Sequence, residues 1–327
     1  MQAVVITRPG GPEVLQVVEV PDPRPGTREI LVSVRAAGLN RLDLLQRMGL
    51  YPAPPGAPAD VPGVEYAGVV EDCGYGVSLH KKGDRVFGLV GGGAYAQYLA
   101  VHESTAMPIP GGLSDVEAAA VPEAFVTAYD AMLLQAGLRR GEAVLIHAVG
   151  SGVGSAAVQI AACTGARAIG TARSARKLEL ARTWGLNEGT VPVEGRFADH
   201  VLSLTGQEGV NVVLDLVGGA YVPESMKCMA SRGRMIVVGL VAGAGAEIDL
   251  GLLLRKRLEL RGTVLRARAL EEKIALTEKF AAAVLPFFSS GRLKPVVDRV
   301  FPLKEAAQAH TYLASNENFG KVVLEVP

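Results

Sequence analysis

Along the first third of the chain, short apolar runs alternate with clusters of proline and glycine. Residues 3–7, 15–20, 29–37, 66–72, 85–88 and 95–101 have strand character, and their spacing predicts a barrel-like, β-rich domain over residues 1–121. Residues 40–48 read as a short helical piece, and the prolines of Tyr51-Pro52-Ala53-Pro54-Pro55-Gly56 exclude regular structure there. The pattern changes at Ser114-Asp115-Val116-Glu117, a capping box that opens an alanine-rich helix. Pro122 interrupts that helix, and a second is predicted over 123–135. Strand and helix then alternate, with strands at 143–148, 167–172, 190–193, 212–215, 234–239 and 259–263. Residues 176–184 form an amphipathic helix with Leu178, Ala181 and Trp184 on one face. Alternation of this kind predicts a doubly wound parallel sheet over 122–265, an α/β Rossmann domain. Helices over 270–288 and 303–313 and a final strand over 322–326 are expected to return to the first domain, which thus comprises 1–121 and 266–327.

The densest chemical signal lies where one predicted strand ends. Ala143-Val144-Leu145-Ile146-His147-Ala148-Val149-Gly150-Ser151-Gly152-Val153-Gly154 reads as a buried strand running into a glycine turn, with a helix from Ser155 onward. Strand, turn and helix N-terminus together aim backbone N–H groups at an anion, and the missing Cβ atoms let a pyrophosphate approach the main chain. The G-x-G-x-x-G spacing is not met, because Ser155 stands at its third glycine; the pattern present is Ala148-x-x-Ser151-x-x-Gly154. A following strand over 166–172 completes the βαβ context. The candidate contacts are Ala148, Gly150, Ser151, Gly152, Val153 and Gly154.

Composition narrows the class. A chain of 327 residues, 49% hydrophobic and 20% charged, fits a soluble two-domain protein. Its 33 basic and 33 acidic residues cancel, which favours neither nucleic acid nor membrane as partner and eases self-association. Cys73, Cys163 and Cys228 form no C-x-x-C, so no cysteine zinc knot exists, and lone thiols fit a reducing, cytoplasmic compartment. The first residues read as a strand rather than a signal peptide, and no apolar run reaches the ~18 residues of a spanning helix.

Several motifs in order carry a family resemblance. They are Ala37-Gly38-Leu39-Asn40-Arg41-Leu42-Asp43, Gln46-Arg47-Met48-Gly49-Leu50-Tyr51-Pro52, Gly63-Val64-Glu65-Tyr66-Ala67-Gly68, Pro122-Glu123-Ala124-Phe125-Val126-Thr127-Ala128-Tyr129, the glycine turn, Asp215-Leu216-Val217-Gly218-Gly219 and Gly320-Lys321-Val322-Val323-Leu324. Over essentially its whole length the chain resembles the zinc-free quinone oxidoreductases of the medium-chain dehydrogenase/reductase superfamily. Within them it is similar to the stress-induced quinone reductase branch, with zeta-crystallin more distant. The resemblance implies a GroES-like catalytic domain with a Rossmann domain, usually as a homodimer through Rossmann edge strands. Zinc-dependent relatives carry cysteine where Asn40 stands and Gly-His-Glu where Gly63-Val64-Glu65 stands; valine cannot ligate and an amide is a poor substitute for a thiolate. No metal is therefore expected.

The second strand of the Rossmann domain ends Gly170-Thr171-Ala172-Arg173-Ser174-Ala175-Arg176-Lys177, without the carboxylate that would bond a ribose 2′-OH. Cations there suit a 2′-phosphate, so NADPH is the expected cofactor. The resemblance places Ser174 and Lys177 at that phosphate, and charge adds Arg173. A tyrosine that relatives often hold against the adenosine is replaced by Pro192. Hydride transfer asks little of the protein beyond geometry and a hydrogen-bond donor. By resemblance, Tyr51 and Asn40 face the catalytic cleft and Thr127 touches the nicotinamide. Tyr51 either donates to a substrate oxygen or stacks. Gly239 and Leu240 end the fifth strand, on the edge where such sheets bind ligands. Lys321 either reaches a cofactor phosphate or lies on the surface, and His147 is expected to be packed rather than catalytic. Asp43, Arg47 and Glu65 read as structural. Arg255-Lys256-Arg257 with Arg261, Arg266 and Arg268 form a basic concentration read as a solvated helix and strand, because no aromatic residues interleave it for RNA. The expected activity is NADPH-dependent reduction of a quinone. The alternatives are an enone or enoyl-thioester reductase using the same residues, and a dinucleotide-binding sensor without turnover.

Overall fold

The computed structural model describes residues 1–327, and the chain divides into two units, Met1–Val126 with Leu265–Pro327 and Thr127–Val264. The first division falls inside the helical stretch after Pro122, a few residues beyond the expected position. In chain order the strands are β1 (Gln2–Ile6), β2 (Leu15–Glu19), β3 (Glu29–Gly38), β4 (Glu65–Cys73), β5 (Arg85–Leu89), β6 (Tyr98–His102), β7 (Ala106–Pro108), β8 (Ala143–Ile146), β9 (Arg167–Thr171), β10 (Glu188–Thr190), β11 (Val210–Asp215), β12 (Met229–Val237), β13 (Glu259–Gly262), β14 (Val297–Pro302) and β15 (Lys321–Glu325). The helices are α1 (Arg41–Arg47), α2 (Asp115–Ala119), α3 (Thr127–Tyr129), α4 (Gly152–Thr164), α5 (Ala175–Arg182), α6 (Ala198–Leu204), α7 (Tyr221–Cys228), α8 (Leu250–Lys256), α9 (Leu270–Ser289) and α10 (Ala306–Ser315).

The first unit is built on a sheet of order β14-β15-β3-β4-β5-β7, with β6 also paired to β3. Strand β3 buries Ile30, Val32 and Val34 on one face, as the two-residue period of a strand requires. With Tyr66, Val86, Tyr95, Val322 and Leu324 they form the core of this unit. Each such aliphatic side chain contributes about 1.5–3 kcal/mol of burial. The last strand, β15, runs antiparallel to β3 and so brings the end of the chain beside Gly38.

The second unit is a parallel sheet of order β10-β9-β8-β11-β12-β13. The strand order reverses between β8 and β11, the switch point at whose carboxyl edge such sheets bind ligands. Val144, Leu145 and Ile146 of β8 are all fully buried, the continuous apolar run expected where helices cover both faces.

Several elements differ from the sequence reading. The expected helix over 123–135 is π-helical at Pro122–Val126 and Asp130–Gln135, with α3 between. The expected strand over 190–193 stops at Thr190, because Val193 turns back to pair with Arg196 across a tight loop. Trp184 lies beyond α5, which keeps Leu178 and Ala181 buried. Strands β7 and β14 and helices α6, α7 and α8 are additional to those expected; they are short, and their apolar positions lack a sustained period.

Candidate active site and dinucleotide-binding edge

In the second unit, β8 ends at Ile146 and the chain folds sharply. Ala148 adopts φ 51°, a left-handed conformation that turns the chain toward α4. Ser151 caps that helix, its Oγ accepting from the Gly154 N–H at 3.0 Å. A Cβ on Gly154 would lie 2.3 Å from the Ala148 carbonyl oxygen and 2.7 Å from Val149 Cα. Only glycine lets the helix start so close to the turn. Gly150, Ser151, Gly152 and Val153 therefore head the helix on a tightly held backbone, with its N–H groups and dipole toward an anion.

Neighbouring groups fix this edge. His147 is fully buried, its ring nitrogens 2.9 Å from Thr171 Oγ1 and 2.8 Å from Ser225 Oγ. Burial pushes its pKa down to about 3, so it is a neutral, packed residue. At the end of β11, Asp215 Oδ1 accepts from the N–H groups of Val217 and Gly218, holding the loop beside the switch point. Burial raises that carboxyl. Gly239 comes just after β12, where a Cβ would meet the Leu216 carbonyl oxygen at 2.5 Å, and Leu240 beyond it is exposed. Thr127 is buried, and its Oγ1 has no hydrogen-bond partner, so it is not spent on a backbone carbonyl. An orphan buried hydroxyl is rare and signals a missing polar partner.

The end of β9 leads into α5. Ser174 is the N-cap of that helix, with Arg173, Ser174 and Arg176 exposed and Lys177 half-buried. The first turn carries no acidic residue. Cations oppose the dipole at a helix start, an arrangement that an anionic ligand relieves. Pro192, half-buried, offers no aromatic ring for stacking.

In the first unit, a buried polar network surrounds Asn40. Asp43 Oδ2 accepts from the Asn40 N–H at 2.8 Å and from the Tyr95 hydroxyl at 3.0 Å. The Asn40 amide donates through Nδ2 to Glu65 Oε1 at 2.7 Å and accepts through Oδ1 from Lys321 Nζ at 2.7 Å. Lys321 also donates to the Leu39 carbonyl and pairs with Glu65, both at 2.5 Å. Glu65 Oε2 accepts from the Glu123 N–H at 2.7 Å. The expectation for Lys321 is therefore corrected. It is 4% exposed, and its three donors serve Leu39, Asn40 and Glu65, because β15 carries it in beside β3. Asn40 likewise has its amide oxygen and one N–H committed within this network, which orients it. Burial raises Asp43 to about 6, and burial followed by the charge of Glu65 raises Glu123 to about 7.

Tyr51 is half-buried, with the Arg266 guanidinium 5.5 Å from its ring centroid. Arg266 is not a solvated cation, as the basic concentration suggested. It is 5% exposed and donates to the Gly91 carbonyl at 2.7 Å and to Gln46 Oε1 at 2.6 Å. Within the same concentration Lys256 donates to the Lys227 and Met229 carbonyls, and Arg261 pairs with Glu259. Arg266, Glu123 and Gln46 are functional candidates the sequence reading missed. The one available signal was a charge inside the apolar run Val264-Leu265-Arg266.

The residues do not fit a catalytic zinc. Asn40 and the buried Val64 stand where ligands would be needed, and an ammonium sits on Glu65, where it would repel a divalent cation. No three His, Cys, Asp or Glu side chains converge as a metal set. The second unit, in contrast, fits a dinucleotide: the Gly154 cradle, the orphan Thr127 hydroxyl and the cationic start of α5 each suit part of one.

Comparison with known proteins agrees with this architecture. Residues 26–111 match the alcohol dehydrogenase GroES-like domain, and residues 152–282 match the zinc-binding dehydrogenase family. A quinone oxidoreductase of Pseudomonas aeruginosa is 37% identical, covering 96% of each chain. The quinone oxidoreductase of Rattus norvegicus is 34% identical, over 99% of this chain and 97% of that one. The crystal structure of Escherichia coli quinone oxidoreductase complexed with NADPH superposes with a TM-score of 0.88 at 31% identity, covering 99% of this chain and all of the other. With relatives this similar over its full length, the chain belongs to the quinone oxidoreductases of the medium-chain dehydrogenase/reductase superfamily.

Proposed function

We infer that this protein is an NADPH-dependent, zinc-independent quinone oxidoreductase. The observation that carries the reading is the end of β9, where Arg173, Ser174 and Lys177 stand without a carboxylate on a dinucleotide-type sheet. The names of its relatives, and the NADPH in the Escherichia coli structure, support it. No helix is long and apolar enough to cross a membrane.

When bound, NADPH supplies a hydride; the protein binds, orients and stabilises. Ala148, Gly150, Ser151, Gly152, Val153 and Gly154 present the pyrophosphate with backbone N–H groups. Arg173 and Lys177 attract the 2′-phosphate, and the Ser174 hydroxyl donates to it. Thr127 offers its free hydroxyl to the nicotinamide amide, and Gly239 and Leu240 border the ligand at the sheet edge. In the first unit, Tyr51 donates to the acceptor oxygen as negative charge develops there. Asn40 holds the local polarity through Glu65 and Lys321, and Lys321 itself is left out of the cofactor set. The acceptor is a small quinone, with enones as the competing class.

The protein works as a homodimer in a reducing, cytoplasmic setting. Three free thiols support the setting. Strand β13 is an open sheet edge, and Leu240, Val241, Leu250 and Leu254 of the same unit are 55–75% exposed, which supports pairing with a second copy. Light scattering reads that state directly.

Steady-state assays with NADPH and 1,4-benzoquinone or 9,10-phenanthrenequinone test the activity. NADPH should be preferred to NADH, and Lys177→Glu should cut that preference about tenfold or more, the worth of one charged hydrogen bond. Equal use of NADH, no oxidation of NADPH with either quinone, or loss of turnover on dialysis against a chelator overturns the reading.

A further inference from the structure

Tyr51 heads a segment with little of its own to hold it. From Tyr51 to Asp60 no residue is buried and none lies in a helix or strand, and four prolines in those ten positions remove backbone donors. A side chain that donates to a reacting oxygen needs a fixed position, since a misplacement of about 1 Å costs on the order of a hundredfold in rate. The fixing contacts therefore have to come from outside the segment.

Arg266 meets the segment at three points. Its guanidinium lies 5.5 Å from the Tyr51 ring centroid, within cation–π range. Its Nη2 donates to Gln46 Oε1 at 2.6 Å, and the same Gln46 amide donates through Nε2 to the Ala59 carbonyl at 3.1 Å. Its Nε donates to the Gly91 carbonyl at 2.7 Å. Gly91 packs on the middle of the segment, where a Cβ would stand 2.9 Å from Ala57 Cβ and 3.1 Å from Pro54 Cγ. The head, middle and far end of the segment are thus tied to one planar group. Burial lowers the Arg266 pKa, and the charges of Asp43, Tyr51 and Glu123 act against that shift. Both bonded acceptors, Gln46 and Gly91, are neutral oxygens, so the hydrogen bonds hold the cation in place without cancelling its charge.

We propose that Arg266 is the positioning residue for the Tyr51 donor. It clamps residues 51–60 so that the phenol stays aimed at the acceptor oxygen, and it keeps a buried cation beside the ring as negative charge builds there. The proposal rests on the quinone reductase reading and on Tyr51 as its donor.

Arg266→Met, Tyr51→Phe and the double variant test it. Each is compared with wild type by turnover of NADPH with 1,4-benzoquinone and by hydrogen exchange over residues 51–60. Tyr51→Phe keeps the ring and removes the donor. Arg266→Met should lower kcat about tenfold to a hundredfold, leave KM for NADPH unchanged, and speed exchange of the Ala57 N–H, which is bonded to the Pro54 carbonyl. The double variant should turn over within about twofold of Tyr51→Phe alone, because the clamp has nothing to aim once the donor is gone. A residue that only stabilised the fold would lower kcat by the same factor in both backgrounds. Arg266→Lys keeps the charge and loses the planar fork, so its kcat should lie between wild type and Arg266→Met. It replaces Arg266→Met in the comparison if the methionine variant does not fold. Multiplying losses in the double variant, an unchanged kcat in Arg266→Met, or unchanged exchange each overturn the assignment. Wild-type kcat in Tyr51→Phe overturns it too, and leaves the reductase reading standing. If the wild type reduces no quinone, that reading fails by itself and exchange alone decides the clamp: faster exchange in Arg266→Met upholds it and equal exchange overturns it.

Discussion

Replacing Lys321 with methionine tests the polar network around Asn40. The ammonium is 4% exposed and pairs at 2.5 Å with a Glu65 carboxylate that is fully buried. At an effective dielectric of about 20, a 2.5 Å pair has a gross attraction of roughly 7 kcal/mol, and burial of both ions offsets much of it. Removing only the cation leaves the desolvation of Glu65 uncompensated, which costs about 3–5 kcal/mol. In a unit of this size that corresponds to a fall in Tm of roughly 6–20 °C. The Leu39 carbonyl and Asn40 Oδ1 also lose a donor, so Asn40 loses its orientation and kcat should fall with Tm. Lys321→Met, Glu65→Gln and the double variant, melted in parallel, form a cycle. The double variant should recover a large part of the loss, because it removes the stranded charge. A loss below about 1 kcal/mol in Lys321→Met, or a double variant as unstable as the sum of the singles, would refute the assignment of a buried, mutually dependent pair.

Gly154→Ala sets a Cβ 2.3 Å from the Ala148 carbonyl oxygen, so the turn or α4 must shift. NADPH affinity, read by fluorescence titration, should fall about tenfold, with overpacking costing about 1–3 kcal/mol of stability. Glu123 rises from 4.5 to about 7 in the fold, so its contribution to stability is complete below 4.5 and is lost as pH rises through about 7. Glu123→Gln should flatten that part of the stability–pH curve, by at most roughly 3 kcal/mol; an unchanged slope counts against it. His147 moves the other way, from 6.5 to about 3, so its contribution is complete above 6.5 and is lost as pH falls toward 3. His147→Gln should therefore soften acid unfolding, seen as a smaller loss of Tm between pH 6.5 and pH 4.

Local pattern alone determined the parallel sheet of the second unit, though not its helices α6, α7 and α8. The apolar run of β8, the glycine turn and the amphipathic α5 encode strand, turn and helix within about forty residues, and parallel order follows from their alternation. The cationic end of β9 was readable for the same reason: Arg173, Ser174 and Lys177 lie within five positions of one another. That the zinc-ligand positions of the family hold other residues was also readable, since the valine side chain at position 64 cannot ligate in any fold. The network of the first unit was not readable. Asn40, Glu65, Glu123 and Lys321 come from four distant parts of the chain, and only the antiparallel pairing of β15 with β3 brings the lysine to the glutamate. Sequence left Lys321 between a phosphate contact and a surface residue because burial is a property of packing. Arg266 was misjudged for the same reason: in sequence it is one of six clustered cations, and the fold buries it against Gln46 and Gly91. Residue type and spacing fixed the chemistry available to this chain, and long-range pairing chose which charges lose their water and with whom.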